Sequence, residues 1–234
     1  MEINVLPDSN AAARYAAAFI AEQARESIAA RGRFVLALSG GETPRPMLNA
    51  LAGENLDWGR VHVVQVDERF APTGHPDRNL TLLQQTLLAK APLSPDHVYP
   101  MPVEDDDDHP ATAADDYARL LQEVAGTPPV IDLVHLGLGG DGHTASLVPG
   151  DGALDVVDAD VAITGLYKGR RRMTLTYPIL NRARCILWLV SGASKAAMLA
   201  RLRAGDPGIP AGGVATEHAV VFADHDAAPD AAPA

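Results

Sequence analysis

The chain has 234 residues, which is enough for one α/β domain or two small ones. Its formal net charge of -11 argues against a nucleic-acid or anionic-membrane surface, although a local cationic pocket can still bind an anionic substrate. The single cysteine, Cys185, rules out an internal disulfide, and no run of about 18 apolar residues predicts a membrane span. The first residues lack the pattern of a signal peptide, so we expect a cytoplasmic protein.

Apolar runs alternate with segments of helical periodicity along the chain. The Ala-rich segment 10–30 predicts a helix, and the continuous apolar run 33–38 predicts a buried strand. A second helix is predicted from near Pro44 to Leu51. Three more are predicted over 78–89, 111–125 and 193–203. The other predicted strands are 61–66, 130–136, 185–190 and 220–222.

This alternation predicts an α/β fold with a doubly wound, mainly parallel sheet and helices on both faces. We expect a single domain over 1–223 and a disordered tail over 224–234, which is rich in Asp, Ala and Pro. The acidic run Asp105–Asp108 lacks the ordered ligand spacing and glycine of a calcium loop, which favours a solvated loop over a cation site.

The predicted strand at 130–136 runs into a glycine-rich loop that presents Asp141 and His143. Ligands of open α/β sheets bind beyond the carboxyl ends of the strands, where this histidine lies. A histidine in that position is a candidate for proton transfer near neutral pH, and a capping or packing role is the alternative. His135 lies within the apolar strand itself, where we expect a core residue whose ring nitrogens are hydrogen-bonded.

The same loop matches the spacing of the dinucleotide fingerprint at Gly137, Gly139 and Gly142. That fingerprint requires a long helix directly after it, and the turn residues 149–152 end the segment too early. The chain also lacks the His and Cys spacings of zinc sites and the G-x-S-x-G motif of serine esterases. We therefore expect no nicotinamide cofactor and no metal.

Two segments that directly follow predicted strands contain groups that can bind an anion. The loop of Ser39, Gly40, Gly41 and Thr43 offers consecutive backbone amides and two hydroxyls, which suits a phosphate. An ordinary turn with Thr43 as the helix cap remains the alternative. Lys195 opens a predicted helix, where a cation is unfavourable unless an anion binds nearby, although a surface lysine fits equally well.

Two arginines also stand out. Arg69 follows Asp67 and Glu68 at a strand end, where it can bind a carboxylate or phosphate in a bidentate manner or form a structural ion pair. Arg172 leads an alternating segment, and we expect its neighbours Arg170 and Arg171 to face solvent.

Seven sequence blocks occur in an order that resembles the 6-phosphogluconolactonases and spans nearly the whole chain. The blocks are LSGGETP at 38–44, VDER at 66–69, HPDRN at 75–79, LGLGGDGHTASL at 136–147, RMTLT at 172–176, SGASK at 191–195 and PAGGV at 210–214. The resemblance implies a fold shared with glucosamine-6-phosphate deaminases and ribose-5-phosphate isomerases. It further implies metal-free hydrolysis of 6-phospho-D-glucono-1,5-lactone. We expect no cofactor, and either a monomer or a weak homodimer.

The resemblance also assigns roles to individual residues. His143 matches the general base of the family, with Asp141 or Asp67 as the acid that orients its ring. Arg69, Arg172 and Lys195 match contacts to substrate and phosphate. The remaining expected binding residues are Ser39, Gly40, Gly41, Thr43 and Asn79.

Two other functions were weighed against lactone hydrolysis. The deaminases share the Asp-Gly-His loop, but they have a motif similar to Asp-Glu-Tyr at the position of Asp67-Glu68-Arg69 in this chain. They also carry an acid a few positions after the loop histidine. Residues 144–148 contain no acid, which favours the lactonase. A non-catalytic sugar-phosphate sensor is the second alternative, but such a sensor would normally carry a DNA-binding module, for which the N-terminal helix is too short.

Overall fold

The computed structural model describes residues 1–104 and 110–230, so the predicted acidic loop at Asp105–Asp108 lies outside the described residues. The strands are β1 Glu2–Leu6, β2 Phe34–Leu38, β3 Val61–Gln65, β4 Asp67–Arg69, β5 Val98–Tyr99, β6 Leu133–Leu136, β7 Val161–Ile163, β8 Arg172–Leu175, β9 Ile186–Val190 and β10 Ala219–Asp224. The α-helices are α1 Ser9–Arg31, α2 Arg45–Leu51, α3 Asn79–Gln85, α4 Leu87–Lys90, α5 Pro110–Ala125, α6 Tyr177–Asn181 and α7 Ala196–Arg203.

The longest helix, α1, begins and ends at residues suited to those positions. The side chain of Asp8 accepts a hydrogen bond of 2.7 Å from the backbone N–H of Ala11, which satisfies a donor of the first turn. Gly32 ends the helix in the left-handed conformation, with φ of 76°, which a residue with a Cβ would adopt at a cost. The chain then enters β2, whose five residues are all buried, as expected for a central parallel strand.

Seven strands form a parallel sheet in the order β1-β10-β9-β6-β2-β3-β5. The chain adds strands on one side of β2 first, and then returns to the other side with β6. The order therefore reverses between β2 and β6, and the loops that follow these two strands diverge there. A crevice forms at such a reversal, beyond the carboxyl ends of the strands.

Apolar side chains cover both faces of this sheet, which confirms the predicted doubly wound α/β fold. Helices α1 and α2 pack on one face, where Ile20, Leu36 and Leu48 are fully or almost fully buried. Helix α5 packs on the other face, where it buries Tyr117 and Leu121. A small antiparallel sheet in the order β4-β8-β7 lies beside the carboxyl ends of the main strands.

Several boundaries differ from the sequence prediction. The helix predicted over 78–89 is divided at Thr86, whose hydroxyl donates a 2.7 Å hydrogen bond to the carbonyl of Leu82. The helix predicted from residue 193 starts with a 3-10 turn. Strands β1, β4, β5, β7 and β8 were not predicted, because each is short or only partly buried and lacks a continuous apolar run.

Residues 224–228, part of the tail predicted to be disordered, make ordered contacts with the rest of the chain. Strand β10 extends to Asp224, whose carboxylate accepts hydrogen bonds from the backbone of Gly192 and Ala227. Ala227 and Ala228 are buried. Small alanine side chains fit against the sheet edge here, so a composition typical of disorder still packs. Residues 231–234 lie outside the described part.

Candidate active site

The crevice between the loops after β2 and β6 contains a cavity of about 180 Å³. Ten of the eleven residues predicted for the site border it: Ser39, Gly40, Gly41, Thr43, Asp67, Arg69, Asn79, His143, Arg172 and Lys195. The eleventh, Asp141, is hydrogen-bonded to His143. Parallel strands bring these residues together because their carboxyl ends all lie at one edge of the sheet.

His143 and Asp141 form a hydrogen-bonded pair. The Nδ1 atom of His143 lies 2.5 Å from Oδ1 of Asp141, and the backbone N–H of His143 donates to the same oxygen at 3.2 Å. Burial raises the pKa of Asp141, but the hydrogen bonds from His143 and Tyr167 outweigh burial and lower the pKa to about 2. Asp141 is therefore ionised at neutral pH, and Nδ1 of His143 carries the shared proton. The Nε2 atom is left as the nitrogen that can accept a proton.

Asp67, the other acid that the sequence left open as a partner for His143, is engaged elsewhere. Its side chain is buried and accepts hydrogen bonds from Ser146 Oγ at 2.6 Å and from Asn79 Nδ2 at 3.1 Å. Asn79 Nδ2 also donates to the backbone carbonyl of Asp67 at 2.8 Å. These contacts fix the side chains of Asp67 and Asn79 on one wall of the cavity.

The glycine-rich loop leaves no room for a side chain beside the histidine. A Cβ at Gly139 would lie 2.0 Å from Nδ1 of His143 and 2.6 Å from Oδ1 of Asp141. The backbone N–H of Gly139 donates to the carbonyl of His143 at 2.8 Å, which closes the loop on itself. Gly142 has φ of 82°, and a Cβ there would also meet Ile209. Gly139 therefore allows the ring to approach the backbone closely, and Gly142 allows the loop to pack against Ile209.

Tyr167 is a member of the site that the sequence analysis missed. Its hydroxyl donates a 2.8 Å hydrogen bond to Oδ2 of Asp141, and its ring packs edge-on against His143 with centroids 5.5 Å apart. The guanidinium of Arg172 lies over the other part of the same ring, 4.9 Å from its centroid. Tyr167 thus connects the acidic and the cationic sides of the site. A tyrosine in the loop before β8 carries no periodicity or motif by which sequence reasoning could find it.

Cationic side chains line the same cavity as the histidine. Arg69 and Arg172 are register partners on the antiparallel strands β4 and β8. Arg172 is buried, and within the described chain its Nε atom has no hydrogen-bond partner. Burial and the nearby charge of Arg69 lower the pKa of Arg172. No acid among the described residues lies within ion-pair distance of Lys195, which borders the same cavity.

The arginine run at 170–172 is divided between two environments. Arg172 borders the cavity, whereas Arg170 is directed to Asp77, with 2.9 Å between its Nε and the carboxylate. Arg170 is half-buried rather than fully exposed, so the expectation that it simply faces solvent is wrong. Arg171 is exposed and pairs through its backbone carbonyl with Phe70.

The loop after β2 approaches Asn79 through its first glycine. A Cβ at Gly40 would lie 1.9 Å from Oδ1 of Asn79, and Gly41 has φ of 103°. The hydroxyl of Ser39 donates to the carbonyl of His135 at 2.9 Å, which holds this loop against β6. Helix α2 begins at Arg45 after Pro44 and has no side-chain cap. The expected alternative role of Thr43 as the cap of this helix is therefore wrong.

His135 departs from expectation as well. It is buried as predicted, but neither ring nitrogen has a hydrogen-bond partner in the described part of the chain. Burial lowers the pKa of His135 to about 4, so the ring is neutral at neutral pH. The residue borders the cavity from the sheet side, beneath the Ser39 loop.

Glu68 and Arg78 explain why the blocks at 66–69 and 75–79 occur together. Both side chains are buried, with Arg78 Nε 3.1 Å from Glu68 Oε2. Glu68 also accepts hydrogen bonds from the backbone N–H groups of Asn79 and Leu80 at the start of α3, at 2.7 and 2.8 Å. This buried pair fixes the start of α3, and with it the position of Asn79. Sequence reasoning treated both residues only as neighbours of site residues.

Neither a metal centre nor a membrane helix is found in the described residues. Over residues 1–104 and 110–230, no group of three or more His, Cys, Asp or Glu side chains is arranged to hold a metal ion. Within the same residues, no helix has the length and apolar character needed to cross a bilayer.

Comparisons with known proteins agree with the blocks and the geometry. The family model described as glucosamine-6-phosphate isomerases/6-phosphogluconolactonase matches residues 7–223. The 6-phosphogluconolactonase of Synechocystis sp. is 38% identical over 196 residues, which cover 83% of this chain and 81% of that protein.

Solved structures confirm the fold. The 6-phosphogluconolactonase from Trypanosoma brucei has a TM-score of 0.86 at 24% identity, covering 99% of this chain and 98% of that one. A monomeric glucosamine-6-phosphate deaminase has a TM-score of 0.83 at 19% identity, covering 97% of this chain and 98% of that one. The fold is thus common to both activities, as the sequence resemblance implied. From the family match and the sequence relative together, the chain belongs to the glucosamine-6-phosphate isomerase/6-phosphogluconolactonase family.

Proposed function

We propose that this chain hydrolyses 6-phospho-D-glucono-1,5-lactone to 6-phospho-D-gluconate, the second step of the oxidative pentose phosphate pathway. The observation that carries this proposal is that His143, paired with Asp141, borders the same cavity as Arg69, Arg172 and Lys195. A phosphorylated lactone needs both elements, since its phosphate requires positive charge and its ester requires an activated water. The sequence relative named 6-phosphogluconolactonase supports the same substrate.

Substrate binding depends on the cationic wall. Lys195, Arg172 and the backbone amides of the Gly40-Gly41 loop hold the phosphate dianion, because they border the cavity and no acid among the described residues lies within ion-pair distance of either side chain. Arg69, opposite Arg172, is placed to share a bound phosphate with it, or to contact the lactone itself or the oxyanion that forms. Anchoring the phosphate in this way positions the carbonyl carbon close to His143.

The chemical step uses the free nitrogen of His143. Ionised Asp141 accepts a hydrogen bond from the N–H at Nδ1 of His143, which leaves Nε2 unprotonated. Nε2 therefore takes a proton from a water molecule as that water attacks the lactone carbonyl carbon. The tetrahedral intermediate then collapses, the bond from the carbonyl carbon to the ring oxygen breaks, and the ring oxygen receives the proton from Nε2. General-base catalysis of this kind contributes about 10²–10⁴-fold in rate.

Glucosamine-6-phosphate deamination is the second candidate, because a deaminase shares this fold. That reaction shuttles protons between adjacent carbons and therefore needs a further acid or base beside the histidine. Among the described residues, Asp141 is the one carboxylate within ion-pair distance of His143, and it binds the Nδ1 side of the ring. Thr144 and Ser146, which follow the histidine, are both buried. The arrangement favours hydrolysis.

The test is hydrolysis of freshly prepared 6-phosphogluconolactone above the spontaneous rate, with and without EDTA. His143→Ala should lose about 10²–10⁴-fold in kcat while KM changes little. His218→Ala is the matched control, because His218 is exposed and lies far along the chain from the site. Full turnover by His143→Ala would exclude the proposed role of the histidine.

A parallel assay with glucosamine-6-phosphate, read as ammonia release, separates the remaining functions. Ammonia release without lactone hydrolysis would assign the chain to deamination. Failure on both substrates, with the phosphosugars still bound, would indicate a sugar-phosphate sensor.

A further inference from the structure

A second cluster of basic side chains lies at the opposite edge of the sheet, where the parallel strands begin. We call it the basic pocket and define it by Arg31, Arg33, Arg60, Arg184, His62 and His97, which border one cavity of about 480 Å³. Their segments lead into or begin the central strands β2, β3, β5 and β9. Because parallel strands all start at one edge, the fold brings these separate segments together there, away from the carboxyl ends that carry the active site.

The acids around the basic pocket do not balance its arginines. Asp132 is the one carboxylate among the residues that border the cavity. It lies 2.8 Å from Arg31 Nη2 and 3.4 Å from Arg184 Nε, and its second oxygen accepts the backbone N–H of Val35 at 2.8 Å. This arrangement explains Arg31 and Arg184 as structural contacts that connect the end of α1 to the starts of β2 and β9.

The other two arginines have no such explanation. No carboxylate within the described ranges lies at ion-pair distance from Arg33 or Arg60. Both are exposed residues at the border of the cavity, in a chain whose formal net charge is -11. Guanidinium groups without a carboxylate in a concave site are suited to bind an oxyanion in a bidentate manner.

The two histidines of the basic pocket are packed against each other. Their ring centroids lie 4.2 Å apart, and Nδ1 of His62 is 3.0 Å from the hydroxyl of Tyr99. The Nδ1 atom of His97 is buried and has no hydrogen-bond partner in the described part of the chain. Burial lowers the pKa of His62, and the charges of His97 and Arg33 lower it further. Arg33 and His97 therefore lie close enough to His62 to disfavour its protonated form.

We propose that the basic pocket is a second anion site, which binds a small phosphorylated molecule with at least two negative charges on its phosphate groups. The guanidinium groups of Arg33 and Arg60 bind the phosphate oxygens. The ion-paired group of Arg31, Asp132 and Arg184 forms a fixed wall of the pocket beside them. A small ligand is favoured over a nucleic acid, because a long polyanion would extend beyond the pocket onto a chain of net charge -11. This site is independent of the proposed catalysis.

Inorganic pyrophosphate, followed by amide NMR of the full chain, tests this site separately from the active site. Gly32 and Gly59 border the basic pocket, whereas Gly40 and Gly41 border the active-site cavity, so their amides report on the two sites. We expect saturable shifts at Gly32 and Gly59 with a Kd below about 1 mM. Arg33→Gln/Arg60→Gln should weaken this response about tenfold or more and leave the response of Gly40 and Gly41 unchanged.

The control is Arg14→Gln/Arg203→Gln, which removes the same charge at two exposed positions outside the basic pocket and should bind pyrophosphate as the unmodified chain does. No response of Gly32 and Gly59 in the unmodified chain would overturn the proposal without any variant. Equal affinity in the Arg33/Arg60 variant would overturn it as well. Tighter binding of a short oligonucleotide than of pyrophosphate at these amides would show that the ligand class is wrong.

Discussion

Arg69 and Arg172 lie directly opposite each other on the antiparallel strands β4 and β8, and both border the active-site cavity. Like charges in cross-strand register are destabilising by roughly 0.2–1 kcal/mol, and the burial of Arg172 adds to that cost. The pair is therefore poised for an anion, because a bound phosphate offsets the repulsion between the two guanidinium groups.

The first prediction follows from this repulsion. In the Arg33→Gln/Arg60→Gln background, where the basic pocket contributes little, inorganic phosphate should raise the Tm of the chain. Adding Arg69→Gln should weaken phosphate binding about tenfold, which removes roughly 1.4 kcal/mol of the stabilisation at high phosphate. Arg69→Lys keeps the charge and should retain most of the effect. An undiminished phosphate effect in Arg69→Gln would mean that the arginine pair does not bind the anion.

The second prediction concerns Tyr167, whose hydroxyl donates to Asp141 at 2.8 Å. Tyr167→Phe removes this charge-assisted hydrogen bond but keeps the ring that packs against Arg172. We expect kcat for lactone hydrolysis to fall about tenfold with KM nearly unchanged, because the acid that orients His143 is held less firmly. Tyr15→Phe, at a side chain that is 59% exposed, is the control. A change in Tm with normal kcat would reduce Tyr167 to a structural contact.

The third prediction uses two adjacent glycines. A Cβ at Gly139 would lie 2.0 Å from Nδ1 of His143, whereas a Cβ at Gly140 would meet no atom within 4 Å. Gly139→Ala should therefore displace the His143–Asp141 pair and reduce kcat by about 10²-fold, which is typical of a misplacement of about 1 Å. Gly140→Ala should remain close to wild type in the same assay. Similar kcat values for the two variants would contradict the proposed importance of the pair.

The fourth prediction concerns the buried ring of His135, whose pKa burial lowers to about 4. An unfolded histidine has a pKa of about 6.5, so between these values the unfolded chain binds a proton that the folded chain does not. The free energy of unfolding must therefore fall as the pH decreases through this window, by roughly 3 kcal/mol in total. His135→Leu should make the dependence shallower by up to about 1.4 kcal/mol per pH unit.

Urea unfolding between about pH 7 and 4.5 measures this slope. His218→Leu, at an exposed position, should keep the pH dependence of the wild type. An unchanged slope in His135→Leu would show that the ring is protonated without cost in the folded chain.

The sequence predicts the fold and the outline of the site, because both depend on local signals. Continuous apolar runs identify β2, β3, β6 and β9, and their order with the helices specifies a parallel sheet. The residues that follow these strands necessarily meet at one edge, which is why Ser39, Asp67, His143 and Lys195 converge on one cavity.

What the sequence does not predict depends on contacts between distant segments. The Tyr167–Asp141 hydrogen bond spans 26 residues and involves a loop without regular structure. The sequence likewise leaves Asp67 and Asp141 as equal candidates to orient His143, because both follow strands and only the turn geometry brings Asp141 to the ring. An apolar strand pattern predicts that His135 is buried, but it does not predict whether its ring nitrogens are hydrogen-bonded. That both nitrogens lack a partner in the described part of the chain could therefore not be predicted.

The position of β1 has a consequence for synthesis of the chain. Glu2 pairs with Val220, and Phe19 of α1 packs against Phe222 with ring centroids 5.5 Å apart. Strand β1 therefore has no neighbour in the sheet until β10 has also been synthesised. At roughly 5–20 residues per second, this delay exceeds about ten seconds. During that interval the part of α1 that packs on β10, around Phe19, stays uncovered, and a chaperone would be expected to recognise it.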